Sequence, residues 1–164
     1  MRSHSLKSLK GGRVMLIGSY QHNVDSKFRV TMPSKWRGEL GEKLILIKGV
    51  SETRQGEYLH AMTETAFQRK FSAFSDLKLS DVAGRKFMRM IYSSAKDVEL
   101  DGSGRIVIPP ELRKCAGIGS CVVLVGMEDG FEIWDEQVWN EMNAEPENEM
   151  DWKELLAKME GKDI

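Results

Sequence analysis

Two short segments have residue types and spacing suited to gripping a polyanion: Asp25-Ser-Lys-Phe-Arg29 and Asp101-Gly-Ser-Gly-Arg105. An aspartate at the start of a turn accepts backbone N–H bonds and ties the loop shut, while an arginine four residues on offers a planar fork of five donors. That fork fits a phosphate or the O6/N7 edge of guanine, the commonest specific protein–DNA pairing. The same two residues can instead form an ion pair that only closes the turn, so the motif alone leaves both readings open. Lys27 lies inside the first loop, with Lys35, Arg37 and Lys43 close behind it. No basic residue separates Asp101 from Arg105, and Asp97, Glu99 and Glu111 surround that loop. If DNA is the ligand, the first loop is expected to dominate.

The elements that must position these loops are themselves repeated. Residues 23–41 align with residues 99–117 at an offset of 76, with Asp25/Asp101, Arg29/Arg105, Pro33/Pro109, Arg37/Arg113 and Gly41/Gly117 identical. Leu44-Ile-Leu-Ile47 then answers Val122-Val-Leu-Val125, and Tyr58-Leu-His-Ala61 answers Phe131-Glu-Ile-Trp134. Each unit reads as a strand, a polar loop, a short apolar strand, a helical turn opened by proline, an apolar strand, a turn and a last strand. Strands this short cannot stand alone, so two units are expected to interleave into a barrel that hides its edges. Related by an internal pseudo-twofold, the loops are expected to meet successive groove segments, as in dimeric DNA-binding proteins.

The division along the chain is a basic arm at 1–14, unit 1 at 19–66, a helical connector at 67–94, unit 2 at 95–138 and a helical tail at 139–164. The arm lacks periodicity and reads as a flexible segment; it could follow a phosphate backbone, but the preferred reading is an extension from an upstream start codon or an appended leader. In the connector, Phe67, Phe71 and Phe74 follow a Thr63 cap, and Phe87, Met90 and Ile91 follow Ser80-Asp81; both sets are expected to pack. Arg85, Lys86 and Arg89 then face solvent. A helix from Asp135, broken by Ala144-Glu-Pro-Glu-Asn-Glu149, is followed by an apolar stripe of Trp152, Leu155, Leu156 and Met159. That stripe needs a surface on its own chain or on a neighbouring copy.

Composition narrows the function class. The 164 residues are 41% hydrophobic, enough for a real core, and the net charge is −1. Residues 1–90 hold 17 basic and 8 acidic residues (+9), whereas 91–164 hold 7 and 17 (−10). This asymmetry suits a basic working face, or opposite charges meeting across an interface. No run is long and apolar enough for a membrane span, and no secretory h-region opens the chain, which fits a cytoplasmic protein without a membrane partner. Cys115 and Cys121, with His4, His22 and His60, lack zinc-ligand spacing and read as inert core thiols, so no metal or cofactor is expected. An enzyme using Asp25 and Asp101 as an acid–base pair would need one raised pKa, yet Arg29 and Arg105 would lower both. No small-molecule substrate is expected.

Taken together, Asp-Ser-Lys-x-Arg-x-x-x-Pro, Asp-Gly-x-Gly-Arg-x-x-x-Pro, Val-Leu-Val-Gly and Phe-Glu-Ile-Trp-Asp-Glu resemble the MraZ family, the duplicated branch of the AbrB/SpoVT-like DNA-binding proteins. The likeness runs from about Met15 to Met142. It implies an α+β fold, a duplicated AbrB-like swapped-hairpin β-barrel with peripheral helices, assembled in several copies as a homo-oligomer ring. It also implies a nucleoid-associated transcription regulator that binds double-stranded promoter DNA of the bacterial division and cell-wall gene cluster. Arg29 and Arg105 would contact DNA, helped by Lys27, Lys35 and Arg37, with Asp25, Asp101, Gly102 and Gly104 structuring the loops. Phe28 departs from the family's small residue at that position; because a bulky side chain disfavours positive φ, the first turn is expected to take another conformation. The alternative is an AbrB-like, antitoxin-like protein-binding module, although such antitoxins usually carry one unit rather than two.

Overall fold

Strands of three to seven residues form in this protein mostly by pairing across its two halves. The computed structural model describes residues 13–49, 57–72, 81–144 and 152–161. Unit 1 supplies β1 (Ser19–Asn23), β2 (Arg29–Thr31), α1 (Ser34–Leu40), β3 (Lys43–Lys48) and β4 (Leu59–Met62), followed by α2 (Glu64–Ser72) and α3 (Val82–Ser94). Unit 2 repeats the order as β5 (Lys96–Glu99), β6 (Arg105–Val107), α4 (Pro110–Cys115), β7 (Cys121–Met127) and β8 (Gly130–Asp135), followed by α5 (Glu136–Ala144) and α6 (Trp152–Met159). Arm residues 1–12, Phe74, Ser80 and the break at 145–149 lie outside the described residues.

The six-stranded antiparallel sheet has the order β1-β7-β8-β4-β3-β5, and β2 and β6 form a separate two-stranded ribbon. Exchanging the units turns the order into itself, which is the pseudo-twofold expected from the repeat. Only β3–β4 and β7–β8 pair within a unit; β1–β7, β8–β4, β3–β5 and β2–β6 all pair between units. The units therefore interleave, as expected. The hydrogen-bonded sheet does not close on itself, however, and β1 and β5 are its edges.

The register corrects one alignment. Ile45 faces Met62 across β3–β4, and Val122 faces Asp135 across β7–β8. With β3 matched to β7, these pairings place Leu59 at the site of Phe131, where sequence alignment puts Tyr58. Side chains alternate faces with a period of two, so that one-residue slip would turn the strand inside out. Leu59 and Phe131 are both fully buried.

One core runs through both units, joining Val30, Met32, Trp36 and Leu44 to Ile106, Ile108, Leu124 and Phe131. Its edge includes Val14, so the core reaches into the segment assigned to the arm; Asp129 N–H donates to Val14 O. A smaller cluster holds Ile47 and Met62 under Phe67, Phe71 and Ile91 of α2 and α3. Thr63 and Asp81 cap these helices through Ala66 N–H and Gly84 N–H. Met90, expected to pack, is exposed, because the buried side of α3 is set by Phe87, Met88 and Ile91. Arg85, Lys86 and Arg89 are exposed, as expected. Cys115, at the end of α4, and Cys121, at the start of β7, are half-buried rather than in the core. Burial still pushes the Cys121 thiol up. Leu156 and Met159 of α6 are exposed, so within the described residues their stripe is not covered.

His60 on β4 is the one buried polar residue among those described, with Lys70 Nζ 3.3 Å from its Nδ1 and no partner for Nε2. Burial first, then Lys70, lowers its pKa from 6.5 to about 4, against a smaller opposing pull from Asp129. Glu132 faces it across β4–β8. In the unfolded chain the imidazole protonates near its ordinary value, so stability is complete above about pH 6.5 and is lost as pH falls toward 4. Chemical unfolding at pH 7.5 and 4.5 is expected to show a loss on the order of 3 kcal/mol from this group, which His60→Gln removes. Because four of the six strand pairings cross the units, a monomeric fragment of residues 1–94 should show no cooperative unfolding by circular dichroism. Addition of residues 95–164 should restore it.

Candidate nucleic-acid interface

The two Asp-x-x-x-Arg loops fold alike, atom for atom. Asp25 Oδ1 accepts the N–H groups of Lys27 at 2.9 Å and Arg29 at 2.8 Å, and Oδ2 accepts Arg29 Nε at 2.6 Å. Asp101 Oδ1 accepts Ser103 N–H at 2.9 Å and Arg105 N–H at 3.0 Å, and Oδ2 accepts Arg105 Nε at 2.8 Å. Backbone bonds close both turns: Asp25 N–H to Arg29 O and Phe28 N–H to Asp25 O in one, Asp101 N–H to Arg105 O and Gly104 N–H to Asp101 O in the other. The backbone N–H of Arg29, then its side chain and Lys27 N–H, hold the Asp25 carboxyl below its usual range. For Asp101 the backbone N–H groups of Arg105 and Ser103 do most of this. Neither carboxyl is a raised-pKa acid, the opposite of what general acid catalysis requires.

The ion pair and the outward arginine, set as alternatives by sequence, coexist. Each guanidinium uses Nε to reach its own aspartate, and among the described residues its terminal nitrogens have no other partner. The Arg29 and Arg105 side chains remain 27% and 32% exposed. Fixing Nε removes much of the side-chain freedom that ligand binding would otherwise have to freeze.

Phe28 does not change the turn. It adopts φ 61°, beside 74° for Gly104 at the equivalent position, although the left-handed region costs a non-glycine residue roughly 1–2 kcal/mol. The ring stays 44% exposed on one side, and on the other the Arg113 guanidinium carbon sits 3.2 Å from its centroid. A cation–π contact of this kind contributes roughly 0.5–2 kcal/mol, the same order as the backbone cost. Arg113 belongs to α4 of the other unit. In mirror fashion Arg37 of α1 lies over Gly104, and a Cβ on Gly104 would collide with Arg37 Nε. Arg37, a sequence neighbour of the first loop, is thus a spatial neighbour of the second. Adjacency in sequence misassigns it because α1 packs back across the pseudo-twofold.

The ribbon fixes where the two loop arginines stand. Arg29 pairs with Val107 and Thr31 pairs with Arg105, so the arginines are offset by two residues on one face, about 7 Å along the strands. Val30 and Ile106, pointing the other way, are fully buried and anchor that face outward. The arginine offset is far shorter than the roughly 34 Å between successive groove segments that the repeat was expected to span. Lys27 and Lys35 are exposed on the first loop and α1. Gly102 is open to solvent, and a Cβ at that position would meet nothing within 4 Å. Beside the second loop, Glu111 is engaged by Lys96 at 3.0 Å. The residue overlooked by sequence reasoning is Arg113; its identity with Arg37 in the repeat is the signal that points to it.

Comparison with known proteins agrees with this duplicated geometry. The family model described as "MraZ protein, putative antitoxin-like" matches twice, over residues 15–89 and 91–161. The transcriptional regulator MraZ of Clostridium tetani (strain Massachusetts / E88) is 36% identical over 145 residues, covering 88% of this chain and 96% of the relative. With both copies of its loop, ribbon strand and short helix falling inside those matches, the chain belongs to the MraZ family.

Proposed function

We propose that this chain is a sequence-specific transcription regulator that binds double-stranded DNA through the exposed face of the β2–β6 ribbon. The observation that carries the reading is the pair of pre-set arginines, Arg29 and Arg105, on one solvent face, each locked at Nε by an ionised aspartate. A two-stranded ribbon fits the major groove, which is about 12 Å wide. An offset of about 7 Å corresponds to about two base steps of B-form DNA. Arg29 and Arg105 read guanine edges or phosphate, Lys27 and Lys35 meet the backbone, and Arg37 flanks the second loop. Asp25, Asp101 and Gly104 hold the loops in shape.

The palindromic strand order supports a swapped-hairpin barrel of the AbrB type, with β2 and β6 as its exposed ribbon. The uncovered apolar residues Leu156 and Met159, with Met142 on α5, support self-association into a ring. A nucleoid-associated cytoplasmic protein acting at the promoter of the division and cell-wall gene cluster is the setting this reading predicts. No helix among the described residues is long and apolar enough to cross a membrane.

A salt series of binding to the chain's own upstream promoter, with scrambled DNA of equal length as competitor, tests the proposal. Specific binding should survive the competitor and fall linearly in a log–log plot. Arg29→Ala is expected to abolish specific binding and Arg105→Ala to weaken it less, by about tenfold or more. Lys27→Ala should chiefly flatten the salt slope, by about one unit. Binding no better than to the scrambled control would favour the protein-binding, antitoxin-like alternative, with the acidic second half as its working surface.

A further inference from the structure

Each loop is held from outside by an arginine of the opposite unit. The residue just before the loop arginine, Phe28 or Gly104, is left-handed in both copies. Its carbonyl is also held from across the pseudo-twofold: Ile108 N–H donates to Phe28 O at 2.9 Å, and Met32 N–H donates to Gly104 O at 2.8 Å. The opposite unit's short helix then adds its arginine. Arg37 Nε donates to Met32 O at 3.1 Å while its guanidinium lies over Gly104. Arg113 lies over the Phe28 ring, and its Nη1 is buried without a hydrogen-bond partner. A guanidinium that gives up a hydrogen bond to rest on a ring is placed there by stacking, not by donor pairing.

We propose that Arg113 and Arg37 are crossed positioning residues, each setting the left-handed residue of the other unit's loop and so aiming Arg29 or Arg105 at the ligand. The consequence for DNA rests on the reading above; the effect on loop geometry does not. The two clamps are unequal. Gly104 takes positive φ without help, whereas Phe28 holds it against its own Cβ, so the first loop depends on Arg113 more than the second depends on Arg37.

The test uses the full chain, with the carboxyl titrations of Asp25 and Asp101 followed by NMR alongside promoter binding. Phe28→Ala keeps the left-handed strain and the Arg113 charge but removes the ring, so Asp25 should titrate closer to its ordinary value while Asp101 stays put. Phe28→Gly removes ring and strain together, and should keep the Asp25 carboxyl lowered. Arg113→Met should act like Phe28→Ala in the native background and be silent in the Phe28→Gly background. Asp101, on the unaltered loop, reports that each variant is folded. Unchanged Asp25 titration in Phe28→Ala and Arg113→Met overturns the clamp. If Asp25 responds as expected, promoter affinity should drop about tenfold in the same two variants, with the salt slope unchanged. A slope reduced by about one in Arg113→Met would make Arg113 a phosphate contact and overturn its positioning role. A responding Asp25 with wild-type promoter affinity would leave the effect on loop geometry standing and overturn its role in aiming Arg29 at DNA, whereas loss of the DNA reading would show as wild-type protein binding the promoter no better than scrambled DNA.

Discussion

Burying Val30 and Ile106 on the inner face of the β2–β6 ribbon is the constraint from which the rest of the architecture follows. Each ribbon strand has three residues, far too few to be stable alone, and each takes its partner from the other unit. Once the central residues point into the core, Arg29, Thr31, Arg105 and Val107 must point out. The same pairing brings Met32 N–H under Gly104 O and Ile108 N–H under Phe28 O. Loop shape, arginine direction and union of the two halves are thus one arrangement of hydrogen bonds seen from different sides.

Around that ribbon the polar groups are satisfied locally, which keeps the working face rigid without burying it. Each aspartate accepts three N–H groups, two from the backbone and one from the arginine it steadies. A carboxylate so held stays charged, and an exposed ion pair by itself adds little to stability. Its contribution is orientation. The helices are divided between two tasks: α1 and α4 brace the loops, and α2 and α3 cover Ile47 and Met62 on β3 and β4. In the second half α5 buries no residue and α6 leaves Leu156 and Met159 in solvent, so the repeat departs from symmetry there.

Much of this is legible in the sequence because backbone chemistry repeats faithfully. Aspartate at a turn start, proline before a short helix and apolar strands at a fixed offset define the two units, the loops and the need to interleave. What stays hidden depends on contacts across the pseudo-twofold. Sequence adjacency credits Arg37 to the loop beside it, although it lies over Gly104 of the other unit. Steric preference alone has Phe28 distort its turn, but the Arg113 stack and the Ile108 hydrogen bond accompany the same left-handed turn. The slip between Tyr58 and Leu59 comes from matching aromatic residues when the pleat responds to register. Helical spacing marks Met90 as packing because it locates a stripe but not its centre.

The covalent joining of the two units has a consequence for how such a protein changes over generations. In a symmetric dimer made of two separate identical chains, any substitution in the loop lands twice, and a residue tolerated in only one context is lost from both. Here position 28 and position 104 are inherited independently, so one loop could accept an aromatic ring and its arginine partner while the other kept the glycine that the closer-lying Arg37 requires. Fusion thereby turns a duplicated reader into two heritable characters, free to diverge one mutation at a time.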